Sequence, residues 1–263
     1  MDNKSIEKAL ILKNEALTPE IYEMVLGVKS TSEATPGQFI NLYCKDGSRL
    51  LPRPLSISEV DQKAGTLRLI YKVLGSGTRE FAKLQKYEEI DYLGPLGKGF
   101  SLEFADEKSE EQEILIIGGG VGVPPLLELA KQLQGKKRVL LGFEKESILV
   151  EDFKKVAREV AVATTTGDEG IKGTVMDLLE QGEYAPVKIY SCGPKGMLQA
   201  VQAWGREGNI PMELSLEERM ACGIGACLVC TCKTQEGPHE EDWNYKRVCK
   251  DGPVFKGEEV VFE

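Results

Sequence analysis

The first hundred residues alternate between apolar and polar positions over short runs, a pattern typical of β-strands. In GTLRLIYKVL, residues 65–74, every second side chain from Leu67 to Val73 falls on one face, and Arg68 and Lys72 fall on the other. This pattern predicts a half-buried strand. Further strands are predicted in two earlier runs, 21–26 and 38–43. Short strands at this spacing predict an antiparallel barrel or sandwich.

From about residue 112 onward, predicted strands alternate with predicted helices. The run ILII (114–117) is typical of a buried strand, and PPLLELAKQL (124–133) places apolar residues at helical spacing. The run VKIYSC (187–192), followed by GPKGMLQAVQAW (193–204), predicts a second strand and helix. This alternation predicts a parallel sheet.

The changes of pattern divide the chain into three predicted domains. They are a β-barrel over residues 1–103, an α/β domain over 112–212 and a small cysteine-rich module over 213–263. The charge-rich stretch 104–113 is predicted to link the first two.

Charge and apolar content exclude several functions. The 263-residue chain carries a net charge of -9 and has no basic stripe, so we expect no nucleic-acid partner. No apolar run approaches the roughly 20 residues that span a bilayer, so we expect no membrane partner. The first ten residues mix acids and bases and lack the apolar segment of a secretory signal. A cytoplasmic location is therefore expected. Reducing conditions there and an odd number of cysteines, seven, favour metal binding over disulfides.

Five of the seven cysteines lie close together near the C-terminus. Cys222, Cys227 and Cys230 form C-x4-C-x2-C, and Cys249 follows after eighteen intervening residues. This spacing is typical of a plant-type 2Fe–2S site. The small residues between the first two cysteines leave room for backbone N–H groups to point at sulfur, which stabilises an anionic cluster. These four cysteines are the predicted metal ligands.

A structural zinc site is the alternative for these cysteines. Zinc sites usually pair two tight C-x2-C or C-x4-C elements, and Cys230 and Cys249 do not form a second tight pair. Cys232, two residues after Cys230, is an alternative third ligand, and we assign that role to Cys230.

The glycine-rich run GGGVGVPP (118–125) stands between a predicted strand and a predicted helix, where backbone N–H groups can bind phosphate. Val123 occupies the position of the third glycine in G-x-G-x-x-G, and a turn needed only for packing is an equal alternative. Glu144 follows the next predicted strand. Its carboxylate can accept hydrogen bonds from a ribose and disfavour a 2′-phosphate, which favours NAD over NADP. The alternative is a solvated surface glutamate.

A second pair of short motifs is suited to phosphate. Arg53, in RPLS (53–56), can bind a phosphate with two hydrogen bonds, although an isolated arginine is more often a surface residue. In GSGT (75–78), Thr78 is predicted to be the N-cap of a helix whose start can hold a pyrophosphate.

The order of these motifs along the chain resembles the ferredoxin–NADP reductase superfamily. Within it, SLEERMACGIGACLVC (215–230) together with CKDGPVF (249–255) closely resembles the family of dihydroorotate dehydrogenase B electron-transfer subunits. The resemblance covers essentially the whole chain.

The resemblance implies that the barrel holds FAD and that the α/β domain binds NAD as electron acceptor. The implied flavin contacts are Arg53, Pro54, Leu55, Ser56, Ile70, Tyr71, Lys72, Gly77 and Thr78. The implied NAD contacts are Gly119, Gly120, Gly122, Glu144, Cys192, Gly193 and Pro194, with Cys192 near the nicotinamide or, as an equal alternative, an ordinary buried thiol. Many relatives carry a flavin-stacking tyrosine where this chain has Leu55, so the stacking residue is left open.

The resemblance also implies an NAD-linked oxidoreductase subunit of pyrimidine biosynthesis. Its expected partner is an FMN-containing dihydroorotate dehydrogenase catalytic subunit, with two copies of each chain. Electrons would pass singly to the 2Fe–2S cluster, collect on FAD and leave as hydride to NAD+. No acid or base of this chain is required, and His239 is expected at the surface. The alternatives are a reductase subunit serving sulfite reductase, hydrogenase or a ferredoxin-linked enzyme, and a zinc-binding redox sensor without turnover.

Overall fold

The computed structural model describes residues 5–29, 31, 34–102, 111–237, 239 and 241–262. Its first part is a closed antiparallel barrel with the strand order β1-β2-β5-β4-β3-β6, which confirms the predicted barrel. The strands are β1 (Glu7–Ala16), β2 (Ile21–Gly27), β3 (Phe39–Leu42), β4 (Arg53–Asp61), β5 (Thr66–Lys72) and β6 (Glu89–Leu96). Alternate residues of these strands fill the barrel interior.

Strand β5 is buried on both faces along part of its length. Leu67, Leu69 and Tyr71 lie in the barrel core as predicted. Ile70, on the opposite face, is also buried, because it packs into the core of the α/β domain. The prediction of a half-buried strand is therefore wrong at Ile70, since the domain that covers it comes from a distant part of the sequence.

A short helix, α1 (Ser76–Phe81), follows β5, and its N-cap is Gly75. The predicted role of Thr78 as N-cap is wrong. Thr78 is the third helical residue, and its hydroxyl accepts hydrogen bonds from the backbone N–H groups of Leu74 (3.0 Å) and Gly75 (3.2 Å). Its side chain thus reaches back to satisfy donors that precede the helix.

The second part contains a seven-stranded sheet with the order β10-β9-β8-β7-β11-β12-β15. The first six of these strands run parallel, which confirms the predicted parallel sheet. They are β7 (Glu113–Gly119), β8 (Lys136–Phe143), β9 (Glu159–Thr164), β10 (Ile171–Lys172), β11 (Lys188–Cys192) and β12 (Met212–Ser215). In the part of the chain that the structure describes, they are accompanied by the helices α2 (Pro125–Gln132), α3 (Val150–Lys154), α4 (Val175–Gln181) and α5 (Lys195–Glu207).

The C-terminal residues form the cysteine loop, a hairpin and one more strand. Strands β13 (Thr231–Gln235) and β14 (Trp243–Arg247) pair antiparallel. Strand β15 (Val254–Lys256) then pairs antiparallel with β12 and becomes the edge of the large sheet. The cysteine-rich segment is therefore joined to the α/β sheet by backbone hydrogen bonds.

Polar contacts hold the barrel against the α/β domain. Arg68 of β5 donates to Asp152 of α3 at 3.2 Å, and Lys131 of α2 pairs with Glu59 of β4 at 2.7 Å. The charge-rich stretch predicted to link the two domains falls mostly on residues 103–110, outside the described residues. Of the helices in the described ranges, none has the length and apolar character needed to cross a membrane.

Candidate functional site

The four predicted cysteine ligands lie together in two pairs. The thiol of Cys222 is hydrogen-bonded to that of Cys227, and the thiol of Cys249 to that of Cys230. Across the described ranges, no three His, Cys, Asp or Glu side chains are arranged around the position of a single metal ion. A two-iron cluster is held by four thiolates, two on each iron. The arrangement in pairs therefore fits a 2Fe–2S cluster.

Backbone N–H groups of the loop point at the sulfur atoms. Gly225 donates to Sγ of Cys249 at 3.1 Å, and Ala226 donates to Sγ of Cys222 at 3.3 Å. The N–H of Cys249 donates to Sγ of Cys230 at 3.4 Å. Gly225 has a φ of +83°, a conformation that favours glycine. These donors stabilise negative charge on sulfur, as the ligands of an anionic cluster require.

The same contacts give the thiols different acidities. Burial would raise the pKa of Cys222, but hydrogen bonds from the N–H groups of Ile224 and Cys227, among others, outweigh it and lower the pKa to about 6. Burial and the contact with Cys230 raise the pKa of Cys249 to about 12. The lowered pKa of Cys222 favours its thiolate, which is the form of cysteine that binds a metal.

Cys232 has different surroundings from the four ligands. It lines a separate cavity of about 120 Å³, together with Lys195 and Tyr245. Burial and the charge of Glu218 raise the pKa of its thiol to about 11. Cys230, by contrast, receives the N–H of Cys249, which favours Cys230 as the third ligand.

Two residues that support the cysteine loop were missed by sequence reasoning. Arg247 donates to the carbonyl of Gly225 at 3.1 Å and forms a two-hydrogen-bond ion pair with Asp251 at 2.9 and 3.2 Å. The sequence offers one signal for this pair, because Arg247 stands two residues before Cys249 and Asp251 stands two residues after it. Asn41 of β3 donates to the carbonyl of Cys222 at 3.1 Å. The sequence signal for Asn41 is an amide residue in the middle of a predicted strand, where the neighbouring residues are apolar.

The predicted flavin motifs lie where strands β4 and β5 separate. Their ladder runs from the pair Ile57–Leu69 to the pair Asp61–Thr66. Beyond it, residues 53–56 pair with β3, and residues 70–72 pair with β2. Residues 53–56 and 70–72 are therefore not paired with each other. Backbone groups that a ladder leaves unpaired can bind a ligand, which is compatible with a flavin at this point.

The structure also brings Arg53 and Gly77 together. A Cβ atom at Gly77 would collide with the Arg53 guanidinium, which shows how closely the two segments approach each other. Arg53 itself donates to the carbonyl of Leu51. The two phosphate motifs, 24 residues apart, thus converge in space, which their sequence did not show.

The three predicted flavin residues of β5 differ in accessibility. Tyr71 lies in the barrel core, where its hydroxyl donates to Asn14 at 3.1 Å. Ile70 is covered by the α/β domain. Lys72 lines the large cleft described below and pairs with Glu20 at 3.0 Å. Among these three side chains, that of Lys72 is thus the accessible one. All four residues of the RPLS motif, Arg53, Pro54, Leu55 and Ser56, are half-buried.

A cleft of about 810 Å³ separates the barrel from the carboxyl ends of the parallel strands. Ligands of open α/β sheets bind at this edge. On the barrel side it is lined by Thr18, Pro19, Glu20, Ile21 and Lys72. On the sheet side its lining includes Gly119, Gly120, Gly142, Glu144, Thr174, Pro194 and Met197. Four predicted NAD contacts, Gly119, Gly120, Glu144 and Pro194, therefore share one cleft, whereas Gly122, Cys192 and Gly193 are not among its lining residues.

Close packing joins the glycine loop to the CGP turn. A Cβ atom at Gly122 would lie 2.5 Å from the carbonyl oxygen of Cys192 and 2.6 Å from Cα of Gly193. Burial raises the pKa of the Cys192 thiol to about 12, against the effect of its hydrogen bond with Ser215. The raised pKa favours the neutral thiol, which faces Ser215 of the neighbouring strand, and the residue as a whole is half-buried.

Comparison with known proteins agrees with this geometry. Residues 217–261 match the model of the iron-sulfur cluster binding domain of dihydroorotate dehydrogenase B. The electron transfer subunit of dihydroorotate dehydrogenase B (NAD+) from Caldanaerobacter subterraneus subsp. tengcongensis is 41% identical, over 97% of this chain and 98% of that protein. The corresponding subunit from Fusobacterium nucleatum is 42% identical, over 98% of this chain and 99% of that protein.

A solved structure shares the fold over almost the whole chain. It is that of an NADH-dependent reduced ferredoxin–NADP oxidoreductase, described in connection with flavin-based electron bifurcation. The TM-score is 0.84 and the identity 27%, over 99% of this chain and 91% of that chain.

Proposed function

Because the chain belongs to the family of dihydroorotate dehydrogenase B electron transfer subunits, we propose that it carries electrons between a dihydroorotate-oxidising partner and NAD+. Its carriers are a 2Fe–2S cluster and FAD. The observation that supports this most directly is the contact between Asn41 of the barrel and Cys222, at 3.1 Å, which seats the cysteine loop directly on the barrel. A cluster bound in that loop is adjacent to the barrel proposed to hold the flavin.

The cofactors supply the redox chemistry, and the residues of the chain supply binding and orientation. When bound, the cluster exchanges single electrons, the flavin exchanges one or two, and the nicotinamide exchanges a hydride. Iron is held by Cys222, Cys227, Cys230 and Cys249. Their two-and-two arrangement supports this ligand set.

The flavin is proposed to bind where β4 and β5 separate. Its contacts come from Arg53 to Ser56, from residues 70–72, and from Gly77 and Thr78. The convergence of Arg53 with Gly77 supports a phosphate site there. Since the side chains of Ile70 and Tyr71 are buried, these two residues would contact the flavin through backbone groups.

NAD+ is proposed to bind in the 810 Å³ cleft, against Gly119, Gly120 and Pro194, which line it. Gly122 and Gly193 are proposed to shape the same site, since they pack against each other directly behind this lining. Glu144 lines the cleft at the end of β8, where its carboxylate can accept hydrogen bonds from a ribose. This position favours NAD over NADP because a 2′-phosphate would meet a negative charge. The thiol of Cys192 faces Ser215, so this residue is proposed to shape the CGP turn and not to contact NAD+ with its side chain.

The partner is proposed to be an FMN-containing catalytic subunit that oxidises dihydroorotate, assembled as two copies of each chain in the cytoplasm. The cysteine loop is its proposed docking surface. Ile224, Leu228 and Val229 expose 51%, 62% and 54% of their surface near Cys222 and Cys227, the two proposed ligands that are not buried. Exposed apolar side chains beside a redox centre suit a partner that must approach it.

Two measurements test this function. The first is the absorption spectrum of anaerobic protein before and after NADH, in which both flavin and iron-sulfur bands should bleach. The second is NADH formation with dihydroorotate after the FMN-containing subunit is added. Zinc without iron would favour the sensor alternative. Bleaching of both bands without dihydroorotate activity would favour another partner, such as the ferredoxin-linked one suggested by the 27% identical structure.

A further inference from the structure

Asn41 places a carboxamide inside an interface where an apolar side chain would be expected. The residue is fully buried, with 0% of its surface exposed. Its Nδ2 donates to the carbonyl of Cys222 at 3.1 Å, whereas its Oδ1 has no hydrogen-bond partner among the described residues. A buried acceptor without a partner costs about 1–3 kcal/mol. Stability alone therefore does not favour an amide at this position.

Strand β3 lies between the cysteine loop and the proposed flavin motif. On its edge, Asn41 pairs with Pro54 of the RPLS run, and its neighbour Ile40 pairs with Leu55. On the outer face of the same strand, Phe39 belongs to the hydrophobic core that contains Cys230 and Cys249. A single strand therefore connects the proposed iron ligands to the proposed flavin contacts.

The cysteine loop is shaped to meet Asn41. Gly223, directly after Cys222, has a φ of +70°. A Cβ atom at Gly223 would collide with Nδ2 of Asn41. The loop backbone thus packs against the amide without an intervening side chain, and the hydrogen bond fixes the distance between them.

We propose that Asn41 is a positioning residue for electron transfer, which holds Cys222 at a fixed distance from the RPLS strand. This role rests on the proposed function. With NADH as donor, the flavin would receive two electrons as a hydride and NAD+ would leave. The flavin would then pass one electron to the cluster, which accepts a single electron, and would keep the other. No bond to Asn41 forms or breaks. Its directional hydrogen bond restrains the loop more tightly than an apolar contact would.

The test uses the Asn41→Leu variant of the full chain, loaded with both cofactors. After anaerobic mixing with NADH, the bleaching of flavin and of iron-sulfur bands is followed separately, and the reduced cluster is recorded by electron paramagnetic resonance. We expect flavin reduction within about twofold of the wild type and cluster reduction slower by at least about tenfold. The melting temperature should change little, because the variant loses one hydrogen bond and also removes an unpaired acceptor.

Two further variants separate positioning from a general effect of burial. Ser58→Ala is the matched control, since Ser58 is also fully buried and its hydroxyl has no partner among the described residues. It should leave both rates unchanged. Gly223→Ala disturbs the same contact from the loop side and should also slow cluster reduction selectively. The double variant with Asn41→Leu should show no further loss, since both changes break one contact.

Three outcomes would overturn the role of Asn41. The first is cluster reduction in Asn41→Leu within twofold of the wild type. The second is a parallel loss of flavin reduction, cluster reduction and melting temperature, which would indicate a structural residue. The third is a wild-type cluster that NADH does not reduce, which would overturn the proposed function as well. If Asn41→Leu does not retain iron, Asn41→Val takes its place, with the same expected result.

Discussion

The carboxamide nitrogen of Asn41 donates a 3.1 Å hydrogen bond to the carbonyl oxygen of Cys222, 181 residues later in the chain. The first residue belongs to the barrel and the second to the cysteine loop. Their contact makes the proposed flavin site and the proposed cluster site neighbours. Electron transfer between two carriers requires such proximity, which the order of motifs along the chain does not reveal.

Substitution of single cysteines should identify the iron ligands. Cys230→Ser should abolish binding of the cluster, because Cys230 is paired with Cys249. Cys232→Ser should retain it, because Cys232 lines a separate cavity. Iron and acid-labile sulfide per chain provide the measurement. Loss of iron in Cys232→Ser with retention in Cys230→Ser would reverse the assignment.

The packing of the glycine loop on the CGP turn should control NAD binding. In Gly122→Ala, the added Cβ would lie 2.5 Å from the Cys192 carbonyl and push the two loops apart. We expect the KM for NADH to rise by about tenfold, equivalent to about 1.4 kcal/mol of binding. The KM is obtained from the rate of flavin bleaching at increasing NADH concentrations.

Gly196→Ala provides the control for that variant. Gly196 lies in the first turn of α5, and a Cβ there would meet nothing within 4 Å. Its KM should be unchanged, and the free energy of unfolding should increase by up to about 1 kcal/mol. An equal rise of KM in both variants would contradict the packing explanation.

Glu144 should determine the choice between NAD and NADP. In Glu144→Ser the carboxylate that would face a 2′-phosphate is removed, so kcat/KM for NADPH should rise by about tenfold while that for NADH falls. Glu146→Ser, in the same cleft lining, is the matched control. The prediction fails if the two variants change the NADPH to NADH ratio equally.

The ion cluster between the barrel and the α/β domain should contribute to stability in a pH-dependent way. Arg68 pairs with Glu23, Glu59 and Asp152. Burial would raise the pKa of Glu23, but Lys13 and Arg68 outweigh it and hold the pKa below the ordinary 4.5. Burial would likewise raise the pKa of Asp152, but Lys155 and Arg68 keep it below 3.8. Both carboxylates therefore stabilise the folded state at neutral pH, and this contribution is lost as the pH falls through their lowered pKa values.

Arg68→Ala tests this cluster. This substitution leaves Lys13 as the remaining ion-pair partner of the buried Glu23 among the described residues. It should lower the free energy of unfolding by about 3 kcal/mol at pH 7. The difference from the wild type should shrink as the pH falls below the ordinary values of 4.5 and 3.8 and through the lowered pKa values of Glu23 and Asp152. Urea unfolding at pH 7 and at pH 3.5 measures both values. A difference that is independent of pH would show that Arg68 acts through packing alone.

The sequence by itself determined the local elements and the chemistry of the motifs. Alternation of apolar residues identified β5, because a strand with one buried face carries that face as a period in its sequence. Short apolar runs, each followed by apolar residues at helical spacing, identified β7 and β11. The spacing C-x4-C-x2-C indicated iron and sulfur, because a short loop that wraps a compact cluster restricts where its ligands stand. These are relations between residues close together in the chain.

Only the tertiary structure decided which distant residues meet. It buried Ile70 on the outer face of β5, joined β15 to the α/β sheet, and placed Gly77 against Arg53. It also showed that Thr78 reaches back to Leu74 and Gly75 and does not cap its helix. Such contacts depend on how whole elements pack, and packing has no period or fixed spacing in the sequence. Asn41 is the clearest example, because the role of a single amide in an apolar strand follows only from its contact with Cys222.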